Sequence, residues 1–258
     1  MTETEEQALR RINQPFIDLE KYTHALIQNY IRGLLVIGEP GLGKSHNVNA
    51  VLTQYVAANK KFSSSFEVIK GSISPPYVYQ KLHEFRQEGN ILVFDDCEID
   101  GVDSLNLLKS ALDSCDKREI AWYKHSSFLK QNGLPSKFEY NGGIIYLTNS
   151  DLMKTSGKKS DHMAAIISRC HYIDMRLPNI LDKIRRIRYI VYSCDMLTQY
   201  GLTRREMDEI VRYIELGAPE MRELSLRVIK KIADLYIAYP NEWRQLADRG
   251  CKMVVKHV

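Results

Sequence analysis

The chain has 258 residues, 44% of them hydrophobic, and a formal net charge of +4. These values predict a sizeable globular core, and the mild positive charge permits a nucleic-acid partner without requiring one. The five cysteines are widely spaced and form no CxxC pair, so neither a disulfide framework nor a zinc site is expected. The sequence shows no signal peptide and no membrane-spanning run, so we expect a cytoplasmic protein with no membrane partner.

Strands and helices are predicted to alternate over the first two thirds of the chain. Short apolar runs predict strands at Gly33–Ile37, Phe66–Lys70, Ile91–Asp95, Gly143–Leu147 and His171–Met175. Helical patterns follow, including a face formed by Val48, Val51, Leu52, Tyr55 and Val56. This alternation predicts an α/β fold with a parallel sheet covered by helices on both faces.

Beyond Pro178 the pattern predicts helices alone. They are expected at Ile180–Met196, Thr203–Leu216, Pro219–Tyr236 and Asn241–Asp248, with Thr203 and Pro219 as helix-start residues. We therefore predict an N-terminal helical segment at 1–32, an α/β core at 33–177 and a small helical domain at 178–258.

A phosphate-binding loop is predicted directly after the first strand. Its residues fit GxxxxGK[ST] at every fixed position and are Gly38, Glu39, Pro40, Gly41, Leu42, Gly43, Lys44 and Ser45. Glycines permit the backbone N–H groups to converge on phosphate, and the helix that follows presents its positive dipole end. Lys44 is expected to reach the β- and γ-phosphates, and the Ser45 hydroxyl to bind Mg²⁺.

Two carboxylates, Asp95 and Asp96, end the third predicted strand. A metal-bound nucleotide needs one acidic group for Mg²⁺, and hydrolysis needs another to polarise water. We assign Asp95 to the metal and Asp96 to the water, with Glu98 as a weaker rival for the second role. Capping of the next helix is the structural alternative for this pair.

Asn149 follows the fourth predicted strand. The carboxyl ends of parallel strands meet at the ligand crevice, so Asn149 could orient an attacking water. A turn-forming asparagine is an equally good interpretation from local sequence alone.

The ordered set GEPGLGKS, ILVFDD, IIYLTN, Ile167-Ser168-Arg169-Cys170 and Met221-Arg222-Glu223-Leu224 resembles the AAA+ ATPase family. The resemblance covers most of the chain from Gly33 to about Tyr236. It implies a P-loop NTPase core, a five-stranded parallel sheet sandwiched by helices, with a small C-terminal helical lid. It also implies that the chain binds and hydrolyses Mg-ATP at the interfaces of a ring or partial ring of identical subunits.

Particular roles follow from the resemblance. Asn149 matches the sensor-1 residue, Arg169 matches the arginine finger of a clamp-loader-like Ser-Arg-Cys box, and Arg222 matches a sensor-2 arginine at the start of a lid helix. For both arginines an exposed, solvated charge is the structural alternative. Asp96 departs from the more usual Glu, and its shorter side chain places strong hydrolysis in question. The Asp-Asp pair and His46, which we include among the nucleotide-binding residues, resemble replication initiators and helicase loaders. Other stretches resemble AAA+ ATPases of tailed bacteriophages.

The polymer on which such an ATPase would act is left open by the sequence. Tyr77 or Tyr79 could grip a polymer, although packing of both beneath the sheet is the interpretation that we favour. The segment 121–136 mixes basic and aromatic residues, which suits either nucleic-acid contact or a solvated hairpin. We expect a role in DNA replication or recombination, with a protein remodeller or a slow ATP-dependent switch as alternatives. No partner protein is predicted.

Overall fold

A computed structural model of the chain describes residues 3–58, 65–99, 101–149 and 158–253. The strands are β1 Gly33–Ile37, β2 Phe66–Ile73, β3 Ile91–Ile99, β4 Glu119–Ala121, β5 Lys137–Glu139, β6 Gly143–Thr148 and β7 His171–Asp174. The helices are α1 Glu5–Ile27, α2 Lys44–Ala58, α3 Pro75–Glu84, α4 Gly101–Ala111, α5 Ser127–Gln131, α6 Lys158–Ile167, α7 Ile180–Ser193, α8 Arg204–Gly217, α9 Leu226–Ala238 and α10 Trp243–Cys251. None of these helices is both long and apolar enough to cross a membrane.

Five strands form one parallel sheet in the order β2-β3-β6-β1-β7. All five residues of β1 are buried, as expected for a strand that is covered on both faces. The predicted five-stranded parallel sheet is therefore confirmed. Because the strands are parallel, the carboxyl ends of β1 and β6 lie beside Asp95 of β3, which pairs with Leu147 near the end of β6.

The segment between α4 and β6 forms a separate antiparallel pair, β4 with β5, and α5 lies between its strands. This insertion covers α3, because the Tyr79 hydroxyl donates a hydrogen bond to the Pro135 carbonyl (2.7 Å) and the Tyr79 ring packs against Trp122 and Phe138. Tyr79 is fully buried, whereas Tyr77 is half-exposed. Tyr79 is therefore unable to grip a polymer from this position.

The chain divides into two compact units. The sheet unit comprises Pro15–Gly38 and Lys44–Met175, and the helical unit comprises Met1–Gln14, Glu39–Gly43 and Arg176–Val258. The core of the helical unit joins α7, α8, α9 and α10 through buried side chains that include Ile187, Ile210, Ile214, Ile229, Ile232 and Trp243. Helix α8 begins as predicted after Thr203, which forms a capping box with Glu206.

The predicted helix Pro219–Tyr236 is wrong at its start. Pro219 lies in a short 3₁₀ turn, and α9 begins only after Ser225, whose hydroxyl accepts a hydrogen bond from the Arg227 N–H (3.2 Å). Between them, the Arg222 N–H donates to the Cys251 carbonyl (2.9 Å), which holds this stretch in an extended pairing instead of a helix. Tertiary hydrogen bonds thus override the local helical pattern.

A buried carboxylate fixes the start of α7 in the helical unit. Asp182 is buried, and both of its oxygens accept hydrogen bonds from the Arg11 guanidinium (2.9 and 3.0 Å). Asn179 caps the helix through the Asp182 N–H (2.8 Å). The Arg11 guanidinium lowers the pKa of Asp182, since it favours the ionised form.

We predict that Asp182→Asn lowers the free energy of unfolding by about 2 kcal/mol at neutral pH, because Arg11 loses the buried one of its two carboxylate partners and keeps only the exposed Glu3. The folded-state pKa lies below the ordinary value of about 4, so the stabilisation is complete above that value and is lost as the pH falls through the folded-state pKa. Urea unfolding at several pH values should therefore show the difference from wild type shrinking in acid. As a control, Asp208→Asn on the exposed face of α8 should change stability by less than about 1 kcal/mol.

Candidate functional site

The phosphate-loop motif begins where β1 ends. The Gly38 N–H donates to the Thr148 carbonyl of β6 (3.2 Å), and α2 starts at Lys44. A Cβ at Gly38 would lie 3.1 Å from Lys44 Cδ and from Met175 Cβ, so a larger residue would crowd the lysine stem. A six-residue loop, 38–43, thus connects β1 to the first turn of α2, and a loop that leads into a helix N-terminus is an arrangement that binds anions.

The Lys44 side chain is buried at the carboxyl ends of the strands. Its Nζ donates to the Gly38 carbonyl (2.6 Å) and to Asn149 Oδ1 (2.8 Å). These two acceptors hold the ammonium in place beside the carboxyl ends of β1 and β6. A fixed positive charge in such a place is suited to pairing with phosphate oxygens.

The acidic pair lies in a β-bulge. Ile69 pairs with Phe94 and Gly71 pairs with Cys97, so Lys70 alone stands opposite both Asp95 and Asp96. The extra residue turns the two carboxylates toward different surroundings. Asp95 is buried and Asp96 is exposed, and Asp96 has the unusual φ of +47°.

Asp95 contacts the phosphate-loop motif. Its Oδ1 accepts a hydrogen bond from Ser45 Oγ (2.7 Å), and its Oδ2 forms an ion pair with Lys70 Nζ (2.8 Å). A hydroxyl and a carboxylate held together are hard oxygen donors that suit Mg²⁺. Within the described residues no group of three acidic, histidine or cysteine side chains could hold a metal by itself. The pair therefore fits a cation that takes its remaining ligands from phosphate and water.

Asn149 joins the two sides of the site. Its Oδ1 accepts from Lys44 as described above, its Nδ2 donates to Asp96 Oδ2 (2.5 Å), and its backbone N–H donates to Asp96 Oδ1 (3.0 Å). Because β6 lies between β1 and β3, the residue that follows β6 is the one that can reach both neighbours. The structure thus brings together Lys44, Ser45, Asp95, Asp96 and Asn149.

A partly buried tyrosine supports the bulge. The Tyr146 hydroxyl donates to the carbonyl of Cys97, the first residue after the acidic pair (3.0 Å). Burial raises the pKa of Tyr146 to about 12, so the hydroxyl keeps its proton and remains a donor at neutral pH. This residue was missed in the sequence, where it reads only as part of an apolar strand.

Two predicted residues stand apart from this cluster. His46 is exposed on the first turn of α2, and Glu98 is exposed two residues beyond Asp96. Neither side chain forms a hydrogen bond or an ion pair with the described residues of the cluster.

Arg169 lies at the opposite end of the strands from this cluster, where the parallel strands begin. It is exposed in the turn before β7, and its Nη1 donates to the Ala165 carbonyl (2.9 Å). Residue His171 of β7 pairs with Leu34 at the start of β1, whereas Gly38 follows the end of β1. At about 3.3 Å per residue, the four residues from Leu34 to Gly38 place Gly38 about 13 Å from His171 along the strand direction, and Arg169 precedes His171 at the far end. An arginine side chain does not bridge that distance within one sheet unit.

In the helical unit, Arg222 does not begin a helix, contrary to the expectation from the resemblance. Its Nε donates to the Lys252 carbonyl (2.7 Å) and its Nη2 to the Arg249 carbonyl (3.4 Å), at the carboxyl end of α10. With Glu39, Pro40 and Lys183, it lines a cleft of about 290 Å³. Lys183 Nζ forms an ion pair with Glu39 Oε2 (2.5 Å) in this cleft.

Another arginine, Arg227, lies closer to the loop residue Gly41. The Leu226 N–H donates to the Gly41 carbonyl (2.9 Å), and a Cβ at Gly41 would lie 2.8 Å from Ser225 Cβ and 3.3 Å from Arg227 Cγ. Arg227 is exposed, and its guanidinium has no ion-pair partner within the described part of the chain. The sequence feature that could have located Arg227 in the first turn of α9 is Ser225, the helix-capping residue two positions before it.

No protein-family model matches this sequence. A homologous protein of Enterobacteria phage T4, described as the "Uncharacterized 36.7 kDa protein in nrdC-mobD intergenic region", is 29% identical over 249 residues, which cover 95% of this chain and 76% of the phage protein. A solved structure of the replication initiator DnaA bound to AMPPCP and single-stranded DNA is similar with a TM-score of 0.52 and 14% identity, over 92% of this chain and 65% of that one. Domain III of DnaA from Thermotoga maritima gives a TM-score of 0.49 at 13% identity, over 89% of each chain. The likeness to the DnaA structure with the TM-score of 0.52 shows that the chain has the DnaA fold, which is the fold that the resemblance to the AAA+ ATPases implies.

We predict that Gly41→Ala lowers stability by about 1 kcal/mol more than Gly201→Ala. Both glycines have left-handed φ values, +72° and +67°, so both substitutions carry the same backbone strain of roughly 1–2 kcal/mol. At Gly41 the added Cβ also meets Ser225, whereas nothing lies within 4 Å at Gly201. Thermal unfolding of the two variants measures the difference, and equal losses would show that the α9 start does not constrain Gly41.

Proposed function

We propose that this protein is an ATPase that binds and hydrolyses Mg-ATP. The observation that carries the proposal is the hydrogen-bonded row Lys44–Asn149–Asp96, which runs past the ends of β1 and β6 to the bulge of β3, beside the Ser45–Asp95 pair. A phosphate-binding cation, a hydroxyl–carboxylate pair for a divalent metal and a second carboxylate for water are the groups that phosphoryl transfer to water requires. The AAA+ fold supports the proposal.

Phosphate binding is assigned to the motif after β1. Lys44 would pair with the β- and γ-phosphates, while the N–H groups of the motif and of the first turn of α2 donate to the remaining oxygens. His46, exposed on that turn, would contact the nucleotide from its outer side.

Mg²⁺ would be held by Ser45 and, through water, by Asp95, and when bound it neutralises charge on the phosphates. The burial of Asp95 supports this role. A buried carboxylate is poorly hydrated, so a nearby cation stabilises its charge more than it would stabilise that of an exposed carboxylate.

Water activation is assigned to Asp96. Its exposed carboxylate is held by two donors of Asn149, so its oxygens are oriented before a water molecule binds. Asn149 would also fix the position of that water relative to Lys44. The bulge carries Asp96 outward from the strand, which we infer offsets the shorter side chain of aspartate compared with glutamate.

We predict that Asp96→Asn retains ATP binding and slows hydrolysis by about 100-fold or more, because an amide is a poor proton acceptor. Calorimetric titration with ATP and a steady-state phosphate-release assay measure the two effects separately. As a control, Glu98→Gln should leave turnover near that of wild type. If Glu98→Gln were the slower variant, the water-activating role would belong to Glu98.

Arg169 would act on the nucleotide of a neighbouring subunit. Its exposure supports this role, as does its place before β7, at the end of the strands that lies about 13 Å or more from Gly38. A guanidinium stays charged and can donate two hydrogen bonds to phosphate oxygens, and fingers of this kind contribute roughly 10³–10⁵ in rate. We therefore propose a homo-oligomer, as a ring or partial ring.

The test is subunit mixing. Lys44→Ala subunits should have inactive sites with intact fingers, and Arg169→Ala subunits should bind ATP but lack the finger. We predict that each variant alone is inactive and that a mixture recovers part of the wild-type ATPase rate. Lack of recovery in variants shown to co-assemble would mean that Arg169 does not act between subunits.

In the helical unit we propose Arg227 for the phosphate-sensing role that the resemblance gives to Arg222. Arg227 lies beside Gly41, and among the described residues its guanidinium has no ion-pair partner, whereas the guanidinium of Arg222 donates to carbonyls at the carboxyl end of α10. The cleft that Arg222 lines with Glu39 and Pro40 would then hold another part of the nucleotide.

For the biological role we propose DNA replication or recombination, through loading or remodelling of a nucleoprotein complex. The DnaA structure with the same fold is described as bound to single-stranded DNA, which supports DNA as the polymer. The burial of Tyr79 leaves the exposed Tyr77 as the residue of this pair that a polypeptide-threading unfoldase, the alternative role, would use. Stimulation of the ATPase by single-stranded DNA distinguishes this role from that of a slow nucleotide switch.

A further inference from the structure

Lys70 is a charged residue that the roles described above do not use. It is the last residue of β2 before the register shift, and its Nζ lies 2.8 Å from Asp95 Oδ2. The lysine side chain is 64% exposed, whereas that of Asp95 is 5% exposed. A buried carboxylate thus has a cation that reaches it from solvent.

The two oxygens of Asp95 are occupied by donors of different kinds. Ser45 donates a hydroxyl proton to Oδ1, and the hydroxyl oxygen keeps its own lone pairs for a metal ion. Lys70 places a full positive charge on Oδ2. A divalent cation bound next to Ser45 and Asp95 would therefore meet a like charge already present at the same carboxylate.

Lys70 acts on only one of the two acids. The bulge places it opposite both Asp95 and Asp96, but among the described contacts its ammonium pairs with Asp95, and Asp96 is held by Asn149. Any effect of Lys70 is therefore expected on the metal side of the site and not on the water-activating carboxylate.

We propose that Lys70 is a positioning residue that holds Asp95 and reduces the affinity of the site for the divalent cation that accompanies the nucleotide. This inference rests on the proposed Mg-ATP function. The long, exposed stem of Lys70 permits the ammonium to withdraw into water when the cation binds, while the buried carboxylate stays in place. The site thereby avoids an uncompensated buried charge before the cation arrives.

The experiment measures cation affinity without turnover. Mn²⁺ is titrated into protein in the presence of AMPPCP at a fixed concentration, free Mn²⁺ is read by electron paramagnetic resonance, and AMPPCP alone provides the blank. Lys70→Met should bind Mn²⁺ about tenfold more tightly than wild type, because the competing charge is gone. Lys70→Arg keeps the charge and should resemble wild type.

Lys124→Met is the matched control. Lys124 is 68% exposed and pairs with Asp103 at 2.7 Å, so it has similar exposure and pairing but lies outside the site. Its loss should leave Mn²⁺ affinity unchanged. Circular dichroism establishes that each variant is folded. If Lys70→Met does not fold, Lys70→Gln replaces it as the neutral variant.

The outcomes are separable. Equal or weaker Mn²⁺ binding in the neutral Lys70 variants would overturn the proposal, as would failure of both neutral variants to fold, which would show a purely structural role. If wild type itself bound no Mn²⁺ beyond the AMPPCP blank, both the proposed Mg-ATP function and the proposed role of Lys70 would be wrong.

Discussion

The hydrogen bonds of Asn149 place a single amide group between a buried ammonium and an exposed carboxylate, and the geometry of the whole site depends on this bridge. The amide can serve both neighbours because its carbonyl oxygen accepts from Lys44 while its nitrogen donates to Asp96. A carboxylate in its place could not donate, and an ammonium could not accept. The bridge in turn requires β6 to lie between β1 and β3, so the strand order sets the order of the chemical groups.

The bulge in β3 solves a separate problem, which is how two adjacent aspartates acquire different surroundings. In a regular strand, neighbouring side chains already point to opposite faces, but both would remain within the ladder of the sheet. Here the added residue leaves Asp95 buried against Ser45 and Lys70, and Asp96 exposed beside Asn149. The positive φ of Asp96 has a cost of roughly 1–2 kcal/mol. The contacts of Asn149 and of Tyr146 on either side stabilise that conformation.

Much of the sheet could be predicted because its strands are apolar runs whose burial leaves little choice of position. The phosphate-loop motif and the acidic pair were likewise evident from residue type and spacing. The bulge was not, since it depends on the register between β2 and β3, which no local pattern specifies. The start of α9 was misplaced because the backbone of Arg222 pairs with Cys251, a residue distant in sequence. The position of Arg227 beside Gly41 was not predicted for the same reason, because the two residues are far apart in the sequence and become neighbours only in the folded chain.

The contacts of α1 have a consequence for the way this chain can be divided. Arg11 binds the buried Asp182, and Asn13 accepts a hydrogen bond from the buried Arg186 (2.5 Å). The helical unit is therefore assembled from pieces that are far apart in sequence, and no single cut in the chain would release it intact. A fragment that begins after the first strand would carry two buried charges without these partners. Transfer of this unit to another protein would require the first fourteen residues to be joined to it by a designed linker, in the manner of a circular permutation.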